Sequence, residues 1–376
     1  AHEHHVTFAY KVIPFNINMS STDDVETFKR KAFELAHLGI DAIVIGLDDF
    51  FPFQNKKNHA KVHATFAHAV AADLMEQGVL VYLIPAMYHG TGTYFAALGD
   101  ELDRLKSTVN IGWTGRKIES SGVTVAEAAT LETLLKRKPF LGHNFPVVNE
   151  TEKKRRITIG PLKGLDLRLY KHLSGIAFNY MPLPFTSLIS GLTCADYAWN
   201  PEAYSPETSI VNSCRAIGSI ELMKLVALNP ESTVDPHAQH PVVKLLTTAG
   251  IRRPLWFMKE QERQQLQEVF STMGGFTDSL APPTIEERLY KELQPLLHQA
   301  NMIGALGNAV LDGTVSKLGM GATFMAALKV IAGYRFSGRC MEDWVLRGMG
   351  FPANFIAHSS SLWDTVDRQL RGRHEW

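Results

Sequence analysis

The chain has 376 residues, of which 45% are hydrophobic and 20% charged, and its 38 basic side chains balance 38 acidic ones. This is the composition of an ordinary globular protein. A net charge of zero gives no electrostatic support for binding to nucleic acid or to an anionic membrane surface. No apolar run approaches the roughly 18 residues that a membrane-spanning helix needs. The sequence therefore predicts neither nucleic acid nor a membrane as a partner.

The cysteines and the N-terminal residues bear on the cellular compartment. Cys194, Cys214 and Cys340 are too few and too scattered for a disulfide framework or a structural zinc site. Residues 1–5 show no charged segment followed by an apolar core, which a signal peptide would contain. Both observations favour a cytoplasmic location over secretion.

Short runs of β-branched and aromatic residues alternate with longer amphipathic stretches from Val6 to about Tyr180. This alternation is typical of βα units around a parallel sheet. The predicted strands are Val6–Ile13, Asp41–Leu47, Val79–Ile84, Val109–Trp113, Pro139–Phe145 and Gly175–Asn179. In the first connecting helix, Ser21 stands three residues before Asp24 as an N-terminal cap, and Gly39 supplies the stop.

Polar residues cluster just after the predicted strands, in Asp48-Asp49, Met87 to His89, Thr114 to Arg116 and Asn144 to Asn149. In an eight-unit (β/α)₈ barrel of the TIM type, that edge of the sheet carries the active site. Six units are two short of a closed barrel. We therefore expect an N-terminally incomplete barrel, and leave open an open sheet or two further units outside this sequence.

After about Pro206 the strand-like runs stop and helical spacing takes over, as in Ile285, Leu289, Leu293 and Leu296. The predicted organisation is a barrel domain over residues 1–205 and an all-α helical bundle over residues 206–376. The glycine-rich stretch from Gly304 to Gly321 fits either a loop or close helix packing.

The adjacent acids Asp48 and Asp49 follow a hydrophobic strand and are the sharpest local feature. On a continuing strand they would point to opposite faces, whereas a turn at the strand end would bring both to one site. Crowded carboxylates do not ionise equally, so such a pair can divide the roles of acid and base. A pair that only caps or fixes a loop is the structural alternative.

Several segments resemble glycoside hydrolase family 84, which contains protein O-GlcNAcases and hyaluronidase-like bacterial enzymes. The matching motifs occur in family order over about the first 205 residues, and their order is more specific than any single motif. They are Ile45 to Phe50, Phe66 to Ala69, Trp113 to Gly115, Asn144 to Val147, Gly160-Pro161 and Asp196 to Tyr204.

The resemblance implies a (β/α)₈ barrel followed by a helical domain, and a retaining β-N-acetylglucosaminidase that uses no metal and no cofactor. In this substrate-assisted mechanism the sugar's 2-acetamido oxygen is the nucleophile and an oxazoline forms. Asp48 would orient the acetamido group, and Asp49 would be the general acid and base. The implied partner is a glycan or glycoprotein that bears terminal β-linked GlcNAc. A homodimer through the helical domain is left open.

The resemblance also assigns substrate contacts and shows departures from the family. Tyr88 matches a family tyrosine that contacts the acetamido group or the reaction centre. Asn144 matches a family asparagine near the acetamido group, and Asn179 lies near the family's asparagine-bearing loop. Asn149 replaces a family aspartate that holds distal hydroxyls, and Gly142 replaces a family aromatic. Trp199 and Tyr204 are expected to pack on the closing helix and not to contact sugar.

Gly142 and Asn149 support a second hypothesis, a catalytically weakened relative that binds GlcNAc-bearing glycans or acts as a scaffold. A metal site is the remaining alternative, because His59 and His63 share a helix face among several nearby histidines. No third ligand stands at a recognised zinc spacing, so these histidines are interpreted as solvent-exposed and no metal is expected.

Overall fold

The computed structural model describes residues 2–48, 56–147, 157–229, 259–315 and 340–349. The chain divides into two compact units. The first contains Ala1–Asn144, Lys163–Asn179 and Ala198–Tyr204, and the second contains Phe145–Leu162, Tyr180–Tyr197 and Ser205–Trp376. In the described part of the chain, no helix combines the length and apolar character required to cross a membrane.

The first unit is built on a six-stranded sheet in which every strand pairs in parallel with the next one along the chain. All six predicted strands are confirmed, and each observed end lies at the predicted residue or up to three residues inside it. They are β1 (Ala9–Val12), β2 (Ala42–Gly46), β3 (Leu80–Ile84), β4 (Asn110–Trp113), β5 (Phe140–His143) and β6 (Gly175–Phe178). The sheet is a curled half-barrel, which confirms six of the eight strands of the expected barrel.

Four helices connect the first five strands. They are α1 (Thr22–His37), α2 (Lys56–Glu76), α3 (Thr93–Arg104) and α4 (Val125–Leu135). The predicted cap of α1 is confirmed, because the Ser21 side chain accepts a hydrogen bond from the Asp24 N–H and Gly39 takes a positive φ of 87°. Phe28, Ala32 and Leu35 form the buried stripe of this helix.

The remaining described helices lie after β6. They are α5 (Pro184–Trp199), α6 (Pro206–Ala216), α7 (Leu222–Leu228), α8 (Glu260–Gly274), α9 (Phe276–Ser279), α10 (Glu287–Leu311) and α11 (Cys340–Gly348). Short 3₁₀ turns occur at His2–His4, Leu169–Lys171 and Pro201–Ala203. Residues 230–258, 316–339 and 350–376 lie outside the described part, so the all-helical character of the C-terminal domain stays a prediction.

Part of the glycine-rich stretch serves close helix packing in the second unit. A Cβ atom on Gly304 of α10 would lie 2.4 Å from the Phe270 carbonyl oxygen of α8, and one on Gly307 would lie 2.4 Å from the Phe270 ring. Backbones can approach this closely only where no side chain intervenes. Close packing therefore explains these two glycines, whereas residues 316–321 lie outside the described part.

The second unit also includes parts of the chain that precede residue 205, and the predicted domains over residues 1–205 and 206–376 stay a prediction. Ile157, Ile159, Met181 and Ile189 are buried in the same apolar cluster as the helices of the second unit. Two segments that precede residue 205 therefore belong to that unit, because their apolar side chains are buried in its core.

Candidate active site

The register of the sheet sorts its side chains into two faces, because successive residues of a strand point in opposite directions. Ile43, Ile45, Leu83, Ile111 and Leu141 lie on one face and are fully buried. The other face, called here the Lys11 face, is less covered. Its strand residues are Ala9, Lys11, Ala42, Val44, Gly46, Leu80, Tyr82, Ile84, Asn110, Gly112, Phe140, Gly142, Gly175 and Ala177.

Asp48 extends the Lys11 face beyond the end of β2. The Leu47 N–H donates to the Ile84 carbonyl at 2.9 Å, which continues the ladder by one residue and keeps the alternation in step. The Asp48 carboxylate accepts a hydrogen bond from the Lys11 ammonium, with 2.7 Å between Nζ and Oδ2. The two side chains are 22% and 39% exposed, so this ion pair is partly shielded from water.

The two carboxylate oxygens of Asp48 differ in their surroundings. Oδ2 is bound by Lys11, whereas Oδ1 is buried and accepts no hydrogen bond from any residue that the structure describes. A buried carboxylate oxygen without a donor is costly unless something else supplies one. Oδ1 is therefore the atom of this site with an unused capacity to accept a hydrogen bond from a ligand.

Asn144 and Asn179 meet after the neighbouring strands β5 and β6. The Asn179 backbone N–H donates to the His143 carbonyl at 3.0 Å, which extends the ladder to these residues. Side-chain Nδ2 of Asn179 donates to Oδ1 of Asn144 at 3.1 Å, and Nδ2 of Asn144 donates to the Ile118 carbonyl at 2.7 Å. Asn144 and Asn179, two of the four predicted substrate contacts, are thus fixed by hydrogen bonds on the Lys11 face.

Tyr88 lies in the loop after β3 and is buried, with 8% of its surface exposed. Its carbonyl accepts the Thr114 N–H at 2.8 Å, and the Trp113 indole N–H donates to the Gly90 carbonyl at 2.9 Å. These bonds join the loop after β3 to the end of β4. The described hydrogen bonds thus give Tyr88 a fixed backbone position at the same edge of the sheet as Asp48.

Two predicted site residues, Asp49 and Asn149, lie outside the described residues, so their placement stays a prediction. Gly142 is described, and among the described residues its surroundings are open: the nearest of their atoms to an added Cβ would be the Trp113 carbonyl oxygen at 4.0 Å. Trp199 is 91% exposed, so the prediction that it packs on the closing helix is wrong.

The interpretation of the α2 histidines as solvent-exposed is wrong for His63. Its side chain is buried, its Nδ1 lies 2.8 Å from the Tyr94 hydroxyl, and its ring stacks on that of His59 with 6.1 Å between centroids. Burial, together with the nearby His59, lowers the pKa of His63 to about 4. Among the residues that the structure describes, no group of three or more His, Cys, Asp or Glu side chains could hold a metal ion.

Sequence reasoning missed Lys11, the cation that the structure places against Asp48. The two residues are 37 positions apart. The signal available in the sequence was a lysine within a largely apolar predicted strand, but only the pairing of Lys11 with Val44 puts it on the face of Asp48.

Comparison with known proteins supplies the family. Residues 1–228 match the family model described as beta-N-acetylglucosaminidase. The protein O-GlcNAcases of Rattus norvegicus and Mus musculus are each 26% identical over 196 residues. That match covers 48% of this chain but spans only 20% of the length of either relative.

Solved structures show the same fold. A mutant of the Thermobaculum terrenum O-GlcNAc hydrolase superposes with a TM-score of 0.76 at 19% identity, over 95% of this chain and 82% of that one. The structure of CpGH84B superposes with a TM-score of 0.74 at 21% identity, over 92% of this chain and 65% of that one. At these identities the likeness concerns the fold alone. The family model covers more than half of the chain, so the protein belongs to the β-N-acetylglucosaminidase family, glycoside hydrolase family 84.

Proposed function

We propose that this protein is a retaining β-N-acetylglucosaminidase that removes terminal β-linked GlcNAc from a protein or glycan. The observation that carries the proposal is Asp48, whose buried Oδ1 accepts no hydrogen bond from any described residue at the sheet edge where family 84 is expected to bind its sugar. The acetamido N–H of GlcNAc is a donor of the kind that this oxygen lacks.

The proposed first step forms a bond between the substrate's acetamido oxygen and its anomeric carbon, and breaks the glycosidic bond. Asp48 accepts the acetamido N–H and stabilises the positive charge that develops as the oxazoline ring closes. Asp49 donates its proton to the departing glycosidic oxygen. In the second step Asp49 takes a proton from water, which attacks the anomeric carbon and opens the oxazoline.

The substrate contacts proposed beside this pair are Tyr88, Asn144, Asn149 and Asn179. The hydrogen bond between Asn144 and Asn179 and the one from Asn144 to Ile118 support this assignment for two of them. Both amides are held in place before a ligand arrives, which lowers the entropy cost of binding. Asn149 carries a neutral amide where the family has a charged aspartate. Its hydrogen bonds to the distal hydroxyls are not charge-assisted, so we expect these hydroxyls to bind more weakly.

Hydrolysis of aryl β-GlcNAc glycosides by the full chain tests the proposal. We expect Asp49→Asn to reduce kcat/KM by at least about 100-fold on a glycoside with a poor leaving group, because that bond needs a proton from the acid. The loss should be smaller on a nitrophenyl glycoside, whose leaving oxygen needs less protonation. Asp48→Asn should be slow on both substrates, by about 100-fold, since it removes charge stabilisation at the acetamido group.

The matched control is Asp278→Asn, which makes the same change at an exposed residue of α9. It should retain full activity. If Asp49→Asn loses the same factor on both leaving groups, Asp49 is not the general acid. If the unsubstituted chain hydrolyses neither substrate but binds a GlcNAc-derived thiazoline, the catalytic proposal fails.

That second outcome would support the alternative function, a GlcNAc-glycan-binding or scaffolding relative of the same fold. The observation that favours this alternative concerns Gly142: a Cβ at this position would have no neighbour nearer than 4.0 Å among the residues that the structure describes. A ligand's acetyl group would therefore be less enclosed at this position than beside an aromatic ring.

Whether the chain forms a homodimer is decided by light scattering on the same preparation.

A further inference from the structure

We propose that Lys11 is a positioning residue: its ammonium holds Asp48 by Oδ2 and thereby presents Oδ1 to the substrate's acetamido N–H. The inference rests on the proposed function and goes beyond it, since it assigns each oxygen of Asp48 a separate task. The two side chains form an ion pair, with 2.7 Å between Nζ of Lys11 and Oδ2 of Asp48.

The sheet register explains why Lys11 reaches this carboxylate. Lys11 pairs with Val44, so its side chain lies on the same face as Gly46 and Asp48, two and four residues further along β2 and its extension. The lysine side chain runs along this face toward the carboxyl end of the neighbouring strand. Among the ion pairs of the described residues, Lys11 is the cation that contacts Asp48.

Gly46 leaves the space that this path needs. A Cβ atom on Gly46 would lie 2.3 Å from Cε of Lys11 and 3.1 Å from Oδ1 of Asp48. The first distance is far inside van der Waals contact, so any larger residue would displace the lysine chain. The absence of a side chain at Gly46 therefore permits the contact between Lys11 and Asp48.

The ion pair gives the carboxylate one orientation. A carboxylate has two equivalent oxygens and rotates about its terminal torsion at little cost, so by itself it would not offer one defined acceptor. A charge-assisted hydrogen bond to Oδ2 removes that freedom, because rotation would break it. Oδ1 is then fixed in a buried position, where an added hydrogen bond is stronger than in water.

The test compares Lys11→Met and Lys11→Arg with the unsubstituted chain on aryl β-GlcNAc glycosides. Methionine keeps a similar length without charge, so we expect kcat/KM to fall about tenfold, the scale of one charge-assisted hydrogen bond. Arginine keeps the charge and should restore most of the rate. The matched control is Lys29→Met. Lys29 forms an ion pair of the same length, 2.7 Å, with Asp73 in the helices outside the sheet. Its replacement should leave the rate unchanged.

A second readout separates positioning from general damage to the fold. In N-fluoroacetyl substrates each fluorine makes the acetamido oxygen a weaker nucleophile, so kcat/KM should fall along the series. When Asp48 is misplaced, it offsets less of the positive charge, and Lys11→Met should make this fall steeper. An equal loss on every substrate of the series would show a merely structural role and overturn the proposal.

Gly46→Ala provides a second perturbation that leaves the charge in place, since its Cβ would lie 2.3 Å from Cε of Lys11 and only 3.1 Å from Oδ1 of Asp48. It should displace Lys11 and reproduce most of the effect of Lys11→Met, and the double variant should lose little more than either single one. Additive losses would show that the two residues act separately, which contradicts the proposal.

The binding of a GlcNAc-derived thiazoline makes the test independent of turnover, because its ring nitrogen takes the place of the acetamido nitrogen. We expect Lys11→Met to weaken this binding about tenfold. If the unsubstituted chain binds the thiazoline without hydrolysing any glycoside, the proposed activity fails while this measurement still tests Lys11. An unchanged Kd in Lys11→Met would overturn the role of Lys11 itself.

Discussion

The buried histidine His63 should make the first unit sensitive to mild acid. Its side chain is 3% exposed in the interface between α2 and α3, where Nδ1 lies 2.8 Å from the Tyr94 hydroxyl. Burial is the main reason that its pKa falls from 6.5 to about 4, and the nearby His59 adds to it. The folded protein therefore favours the neutral ring, because a charged ring would be desolvated.

The sign and size of the effect follow from this pKa. Since the folded value lies below the unfolded one, the unfolded chain binds a proton first as the pH falls. The contribution of the neutral His63 ring to the free energy of unfolding is fully present above pH 6.5, and it is lost as the pH falls toward 4. At about 1.4 kcal/mol per pKa unit, the full loss is about 3 kcal/mol, of which about 2 kcal/mol falls between pH 7 and pH 5.

Urea unfolding followed by circular dichroism at pH 7 and pH 5 measures this loss. The comparison is between the unsubstituted chain and His63→Gln, so that contributions from other groups, such as the buried His143, cancel. The free energy of unfolding should fall about 2 kcal/mol less in His63→Gln than in the unsubstituted chain. His37→Gln, at the exposed end of α1, is the control. If His63→Gln keeps the full pH dependence of the unsubstituted chain, the reasoning about burial is wrong.

Three further predictions concern glycines and a helix cap. Gly142→Phe should lower the KM for aryl GlcNAc glycosides several-fold, because the position is open and a ring there would contact the acetyl group; a raised KM would contradict this. Gly304→Ala should destabilise the second unit by at least about 1 kcal/mol in urea, whereas Gly274→Ala, whose Cβ would meet no atom of a described residue within 4 Å, should not. Thr124→Ala should cost about 1 kcal/mol in the same assay, since it removes the capping box with Glu127 at the start of α4.

The strands and the first helix could be predicted because local patterns specify them. Each strand is a short apolar run between turn residues, and the pairing β1 to β6 follows chain order, as expected for successive βα units. Ser21 and Gly39 bound α1 through backbone chemistry that needs no tertiary information. The position of Asp48 at the carboxyl edge of the sheet follows from the same patterns.

Other features depend on contacts between distant residues and could not be predicted. The partnership of Lys11 with Asp48 requires the register of β1 against β2, and a shift by one residue would turn Lys11 to the opposite face. His63 looked like a surface histidine because the helix pattern does not reveal that α3 covers it with Tyr94. The burial of Ile157 and Ile189 in the second unit could not be predicted for the same reason, since their neighbours are helices much later in the chain.

The glycines of the Lys11 face indicate where a ligand would lie. On the described strands this face carries four of them, and three are covered by a neighbour's side chain: Lys11 over Gly46, Ile84 beside Gly112 and Phe140 over Gly175. Gly142 differs, because within the described part of the chain the nearest atom to an added Cβ is a backbone oxygen at 4.0 Å. It stands two residues before Asn144, whose amide is held by Asn179. Packed proteins seldom leave such space unfilled beside ordered polar groups, so we expect the acetyl group of a sugar to bind beside this space, where a ring at position 142 would contact it.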